Sequence, residues 1–266
     1  MTLDNVLSKL WELYTSQNES ARKVYELFTS EGETVINDHI AFRTFDNPKI
    51  NVDSLGKIFT DLGYREMGQY DFPEKKLNAK HYEYSGNENM PLIFISELRT
   101  SEFSDFLQAI VHDSVQKIGR ALIESGEILY SGNIWGKPSH TVYQNLLKES
   151  EYAAWLYYNG FCANHFTVSV NHLKKYDSLE KVNHLLKDKG FKLNDSGGEI
   201  KGNPSEYLEQ SSIKADIISG DFVEGEFEIT GCYYEFAKRY ETTSGELFKG
   251  FIAKSADKIF ESTNKG

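Results

Sequence analysis

The sequence contains the same succession of predicted elements twice, and this internal repeat limits the possible folds more than any single segment does. Each copy starts with an alternating strand that carries a histidine, continues as an amphipathic helix, and ends at a glycine followed by an aromatic residue. The interval is 24 positions from His39 to Gly63 and 25 positions from His165 to Gly190. Such self-similarity is typical of a duplicated structural unit. We therefore predict an α+β fold in which two βαβββ-like repeats form curved mixed sheets around a cleft, with additional helices at the N-terminus and between the repeats. A cleft between repeats is a natural small-molecule site.

The first histidine strand, residues 35–45, alternates as a half-buried strand does and places His39 and Arg43 on one face. A strand rises about 3.3 Å per residue, so their Cα atoms should lie roughly 13 Å apart. The imidazole could bind a metal while the guanidinium holds the far carboxylate of a small acid. Simpler roles remain open, because a strand histidine is often structural and Arg43 could pair with Asp38 or Asp46.

Two further residues extend this pattern into a candidate metal site. His165 lies early in the second histidine strand, and Glu235 lies in a late segment flanked by aromatic residues. A carboxylate in such an apolar run needs a partner, which could be a metal or simply Lys238 or Arg239. Together with His39, these residues provide two imidazoles and one carboxylate, the donor set of a facial triad that leaves positions on iron(II) open for substrate and oxygen.

The other histidines have weaker claims to such a role. His81 also lies in a predicted strand and is the reserve ligand. We expect the remaining four to be bystanders: His112, His140, His172 and His184. The chain has 16 tyrosines and 17 phenylalanines, which suits an aromatic-lined cleft.

The composition narrows the class of protein. The chain has 266 residues, of which 39% are hydrophobic, and this is enough for a large core. Its formal net charge is −11 and its pI about 5.2, with no long Lys/Arg run. A strongly acidic chain repels nucleic acid and anionic membranes. No apolar stretch reaches the length of about 18 residues that a transmembrane helix needs. We expect neither nucleic-acid nor membrane partners.

The N-terminal residues and the cysteines predict a cytoplasmic location. The first four residues lack the charged and apolar regions of a signal peptide. Two cysteines, Cys162 and Cys232, form neither a disulfide framework nor a zinc knuckle and fit a reduced protein.

We expect a single domain over residues 1–266, with four parts. These are N-terminal helices in 1–30, a first repeat in 31–100, a helical insert in 101–160, and a second repeat with a charged tail in 161–266. Apolar periodicity predicts helices over 2–16 (with Thr2 as a plausible cap), 20–30, 52–62, 101–125 and 178–189, and one or two helices over 140–158. Further strands are predicted within 64–84 and over 90–98, 164–170, 215–218, 226–230 and 232–239.

Several segments resemble the DUF1338 family, which includes 2-oxoadipate dioxygenase/decarboxylases. They are Asp38–Phe45, Pro91–Leu98, Tyr152–Gly160, Ala163–Thr167, Tyr233–Phe236 and, in the tail, Phe251–Phe260. The resemblance implies a vicinal-oxygen-chelate-like fold in which His39, His165 and Glu235 hold iron(II). It also implies that Arg43 binds and orients the substrate carboxylate and that Ser255 faces the substrate. The chain departs from the family pattern at Lys254, where a small apolar residue is expected.

The resemblance further implies an iron(II)-dependent dioxygenase/decarboxylase. Its substrates would be O2 and a 2-oxo dicarboxylic acid, with 2-oxoadipate converted to 2-hydroxyglutarate and carbon dioxide. Two other classes stay open. One is a glyoxalase-like metal-dependent isomerase or lyase that uses zinc or nickel, and the other is a non-catalytic protein that holds a carboxylate ligand through Arg43. The sequence leaves open which 2-oxo acid is used, which metal is native and what the oligomeric state is.

Overall fold

The computed structural model describes residues 1–87 and 89–252, and its centre is one mixed sheet of eight strands that curls into a half-barrel. The strands of this sheet are β1 Asn37–Phe45, β2 Tyr64–Phe72, β3 Leu77–Tyr84, β4 Leu92–Leu98, β5 Ala163–Ser169, β6 Lys201–Asn203, β7 Leu208–Ser212 and β10 Glu235–Arg239. A separate hairpin pairs β8 Ile217–Phe222 with β9 Gly225–Thr230. The helices are α1 Leu3–Gln17, α2 Glu19–Ser30, α3 Val52–Asp61, α4 Asp105–Gln116, α5 Arg120–Glu124, α6 His140–Glu149, α7 Glu151–Asn159 and α8 Leu179–Asp188.

The strand order confirms the predicted repeat. The sheet runs β2-β3-β4-β1-β5-β10-β7-β6, so two four-stranded halves with matching connectivity meet where β1 pairs with β5. Strand β1 lies parallel to β4, and β5 lies parallel to β10. Strands β1 and β5 are antiparallel, with Ile40 opposite Phe166. The two histidine strands are therefore neighbours at the centre of the sheet.

A second correspondence between the halves lies in the turn that leads to β3 or β7. Each turn is a short 3-10 helix that begins at a proline, Pro73 or Pro204. Each ends at a residue with positive φ, which is 55° at Lys76 and 63° at Tyr207. Non-glycine residues seldom adopt this conformation. Its presence at matching positions is a further mark of duplication.

Helices cover the outer face of the sheet, where the alternating apolar residues point. Phe42 packs against Phe59 of α3, with ring centroids 5.4 Å apart. Phe166 packs against Tyr14 of α1 at 4.9 Å. Because strand side chains alternate, His39 and His165 point to the other, concave face. The fold thus separates an apolar layer under the helices from a polar cleft.

Local capping explains how α3 is positioned behind β1. Asn51 and Ser54 form a capping box at the start of α3, in which each side chain bonds to the other residue's backbone N–H. The helix ends just before Gly63, whose φ of +101° suits glycine. The helix predicted over 52–62 is confirmed.

Some details of the local structure differ from the predictions. The helix predicted over 101–125 is two helices, α4 and α5, separated by a break that includes Gly119. Thr2 occupies the N-cap position of α1, but its side chain accepts no hydrogen bond from the helix. The strand predicted over 232–239 begins its ladder only at Glu235. Among the helices in the described ranges, none combines the length and apolar character needed to cross a bilayer.

Candidate metal centre and substrate cleft

The three predicted ligands converge on the concave face of the sheet. One donor atom from each of His39, His165 and Glu235 lies within 4.8 Å of the other two. The Nε2 atom of His39 is 3.8 Å from Glu235 Oε1, and that of His165 is 3.1 Å from Glu235 Oε2. Strand register explains the meeting, because Thr167 of β5 lies opposite both His39 of β1 and Glu235 of β10. Residues that are remote in sequence thus face one point.

Both imidazoles are oriented by the residue that precedes them. His39 Nδ1 lies 2.8 Å from Asp38 Oδ1, and His165 Nδ1 lies 3.0 Å from Asn164 Oδ1. An Nδ1–H that donates to these oxygens leaves the Nε2 lone pair directed at Glu235. Burial lowers the pKa of both histidines, most strongly that of His165, so both rings are neutral as metal ligation requires. Thr167 Oγ1 lies 3.1 Å from His39 Nε2.

A buried ion pair supports the first imidazole from behind. Arg239 donates from Nε to Asp38 Oδ2 at 2.7 Å and from Nη2 to Asp38 Oδ1 at 2.8 Å. Burial alone would raise the pKa of Asp38, but Arg239 and His39 hold it well below its usual value. Arg239 also donates to the backbone carbonyls of Phe248 and Gly250. The prediction that Glu235 could simply pair with Arg239 is therefore wrong, because Arg239 pairs with Asp38.

Glu235 is fully buried, and burial raises its pKa to about 8. Gln210 donates a hydrogen bond to its Oε1, whereas no residue in the described ranges donates one to its Oε2. This Oε2 faces the Nε2 lone pair of His165. Two electron-rich atoms repel each other unless a cation or a proton lies between them. The donor set therefore fits a divalent metal ion.

The reserve ligand His81 is buried close to the site but does not join the group. Tyr70 Oη lies 2.9 Å from its Nδ1 and Glu83 Oε1 lies 3.3 Å from its Nε2. The Phe251 ring covers this side, with its centroid 4.9 Å from that of His39 and 5.6 Å from that of His81. Ser255 and Lys254 lie outside the described residues.

Arg43 lies further along the same face of β1, as the alternation predicts. Its side chain is only 2% exposed, and Nη1 lies 3.2 Å and 3.4 Å from the two carboxylate oxygens of Glu151. The guanidinium also lies 4.8 Å from the ring of Tyr152 and 4.9 Å from that of Trp155. Its Nε has no hydrogen-bond partner within the described part of the chain.

Neither Asp38 nor Asp46, the two simpler partners proposed for Arg43, pairs with it in the structure. Asp38 pairs with Arg239, and Asp46 accepts hydrogen bonds from the backbone and side chain of Thr100. A cavity of about 250 Å³ opens onto Arg43 and Glu151. The guanidinium therefore borders an accessible space although it is nearly buried.

Sequence reasoning missed the residues that contact Arg43 and the two ligand histidines. Glu151 and Trp155 are four positions apart, which places them on one face of α7 beside Arg43. Asp38 and Asn164 each precede a histidine in the two repeats, a symmetry that could have indicated their shared role. All four residues lie within segments that the sequence predicts as helix or strand.

The fold and the convergent donors define a protein of the vicinal-oxygen-chelate-like class. A glyoxalase superfamily protein from Ralstonia eutropha has the same fold, with a TM-score of 0.76 over 92% of this chain and 84% of that chain at 21% identity. The family model for 2-oxoadipate dioxygenase/decarboxylase matches residues 5–131 and 133–248. The chain belongs to this family.

Individual relatives agree with this assignment. The 2-oxoadipate dioxygenase/decarboxylase of Arabidopsis thaliana, named as chloroplastic, is 36% identical over 97% of this chain and 76% of its own length. The hydroxyglutarate synthase of Oryza sativa, solved in complex with 2-oxoadipate, has a TM-score of 0.92 and 36% identity over 97% of this chain and 91% of that chain. A Shewanella frigidimarina protein with only a provisional hydrolase name has a TM-score of 0.89 and 44% identity over 94% of this chain and 97% of that chain. The cytoplasmic location of this chain stays a prediction.

Proposed function

We propose that the protein is an iron(II)-dependent dioxygenase/decarboxylase. It converts 2-oxoadipate and O2 to 2-hydroxyglutarate and carbon dioxide. The observation that carries this proposal is the convergence of two neutral imidazoles and one carboxylate within 4.8 Å of one another on the concave face. Family membership supports the reaction, and the Oryza sativa relative solved with 2-oxoadipate supports the substrate.

His39, His165 and Glu235 would hold the metal. When bound, iron(II) supplies a Lewis-acidic and redox-active centre for the 2-oxo acid and for dioxygen. The buried donors suit this chemistry because aromatic rings limit access of water to a reactive centre. Tyr233 stacks on His165 with ring centroids 4.8 Å apart, and Phe251 covers His39.

Arg43 would bind the distal carboxylate of the diacid and fix its register. Its Nε has no partner among the described residues, and Glu151 contacts only Nη1, so the edge formed by Nε and Nη2 suits a carboxylate. With Cα atoms roughly 13 Å apart along the strand, the two side chains can reach opposite ends of a six-carbon acid. Ser255 is proposed to face the substrate on the basis of the family pattern alone.

The test is turnover by protein purified without oxygen and loaded with iron(II). With 2-oxoadipate we expect uptake of O2 and release of 2-hydroxyglutarate and carbon dioxide in equal amounts. A six-carbon monoacid, 2-oxohexanoate, is the matched control for the distal carboxylate. Zinc- or nickel-loaded protein tests the isomerase or lyase class, because that chemistry consumes no oxygen. Iron-loaded protein that takes up no oxygen with any 2-oxo acid would contradict the proposal.

A further inference from the structure

Tyr233 carries a hydroxyl that the fold buries without a partner. The residue is 0% exposed, and Tyr233 Oη has no hydrogen-bond partner among residues 1–87 and 89–252. A buried hydroxyl without a partner destabilises the folded state, so its retention calls for an explanation. The position is well defined, because Tyr14 of α1 donates a hydrogen bond of 2.5 Å to the Tyr233 carbonyl.

The ring lies in the cleft rather than in the apolar layer. It stacks on His165 with an interplanar angle of 29° and a centroid distance of 4.8 Å. The same imidazole faces Glu235, because His165 Nε2 lies 3.1 Å from Glu235 Oε2, so Tyr233 and Glu235 contact one histidine from the cleft side. Burial raises the pKa of Tyr233 well above its usual value, Glu235 raises it further, and Arg43 lowers it. The hydroxyl is thus neutral. Its pKa responds both to Glu235 at the candidate metal site and to Arg43 further along the cleft.

The next residue provides an internal comparison. Tyr234 is also fully buried, and its hydroxyl likewise has no partner in the described part of the chain. Its ring faces the helix layer, 6.0 Å from Trp11, 6.2 Å from Tyr14 and 5.8 Å from Phe236. The two tyrosines therefore have the same chemistry and burial but lie on opposite sides of the backbone.

We propose that the Tyr233 hydroxyl donates a hydrogen bond to an oxygen of the 2-oxo acid bound between His165 and Arg43. This inference rests on the proposed function and adds a substrate-binding residue to it. The phenol keeps its proton throughout and fixes the substrate by geometry. Three polar groups that lack partners among the described residues, namely Glu235 Oε2, Tyr233 Oη and Arg43 Nε, then all receive one from bound metal or substrate.

The experiment compares Tyr233→Phe with Tyr234→Phe in two measurements. The first is the dissociation constant of 2-oxoadipate, measured by calorimetry on iron(II)-loaded protein without oxygen so that no turnover occurs. The second is the melting temperature of the metal-free protein. Removal of a hydrogen bond to an anionic ligand should weaken binding about ten- to a hundredfold in Tyr233→Phe, whereas Tyr234→Phe should bind like the wild type. Neither variant should melt below the wild type, because neither hydroxyl bonds to the fold.

The outcomes separate this inference from the proposed function. A wild-type protein that holds iron but does not bind 2-oxoadipate defeats the proposed function. If the wild type binds and Tyr233→Phe binds within about threefold of it, the hydroxyl does not contact the substrate and the inference is wrong. Weaker binding accompanied by a lower melting temperature than that of Tyr234→Phe also overturns it, because the hydroxyl would then have a structural partner.

Discussion

Asp38 and Arg239 form a buried bidentate ion pair directly behind the imidazole of His39. The two hydrogen bonds are 2.7 Å and 2.8 Å long, and Asp38 Oδ1 also lies 2.8 Å from His39 Nδ1. A strand β1 carboxylate and a strand β10 guanidinium therefore join the two repeats and orient one candidate ligand at the same time. One carboxylate oxygen, Asp38 Oδ1, thus contacts both Arg239 and the His39 ring.

We predict that Asp38→Asn weakens metal binding about ten- to a hundredfold, since an outer partner of a ligand histidine is lost as a charged acceptor. It should also lower the free energy of unfolding by about 2–4 kcal/mol, because Arg239 is left buried without its counter-ion. Competitive metal titration and urea denaturation measure the two effects. The double variant Asp38→Asn, Arg239→Gln is the control and should recover part of the stability. Unchanged values in the single variant would show that the pair does not support the site.

The raised pKa of Glu235 predicts how metal affinity depends on pH. The metal-free carboxyl keeps its proton below about pH 8, but metal ligation requires the carboxylate. Between pH 6.5 and 8 both buried histidines are already neutral, so one proton is released for each metal bound. The association constant should therefore rise about tenfold per pH unit in this interval and level off above it. Calorimetry in buffers of different ionisation enthalpy counts the protons. Glu235→Gln should remove the slope, and a wild-type constant that is flat with pH would contradict the assignment.

Arg43→Lys tests recognition of the distal carboxylate. Lysine retains the charge but lacks the planar fork, so we expect the dissociation constant of 2-oxoadipate to rise about ten- to a hundredfold. Binding of 2-oxohexanoate, which lacks that carboxylate, should change by less than about threefold, as should iron binding. Equal losses for the two acids would mean that Arg43 acts elsewhere.

Glu151→Gln tests the counter-ion of Arg43. Glu151 holds one guanidinium nitrogen at 3.2 Å and 3.4 Å, and its negative charge opposes a second carboxylate at the same arginine. The variant should bind 2-oxoadipate about three- to tenfold more tightly, since electrostatic repulsion is removed. Its free energy of unfolding should also be about 1–2 kcal/mol lower, because Arg43 loses an ionic partner. Weaker binding of the diacid would instead indicate that Glu151 positions Arg43 for the substrate.

The sequence predicted the strands in which apolar and polar side chains alternate regularly. The two histidine strands were visible because apolar residues such as Phe42 and Phe166 pack under helices while polar residues point into the cleft. The duplicated order of elements then placed His39 and His165 next to each other. Convergence of Glu235 followed from the repeat and from the high energetic cost of leaving a buried carboxylate unpaired.

Other elements could not be predicted because partners remote in sequence determine them. Strand β7 reads Leu-Glu-Gln-Ser-Ser, has no β-branched or aromatic residue, and is a strand because it pairs with β10. Strand β6 has only three residues. The contact between Glu151 and Arg43 spans 108 positions and depends on how α7 docks against β1, which no local pattern records.

The most direct test of the account is the position of iron in crystals of protein loaded with iron(II) without oxygen. Anomalous diffraction at the iron edge should reveal one ion within about 2.0–2.3 Å of His39 Nε2, His165 Nε2 and a carboxylate oxygen of Glu235. An ion bound elsewhere, or an iron-loaded crystal with no anomalous peak among these three side chains, would contradict the central claim.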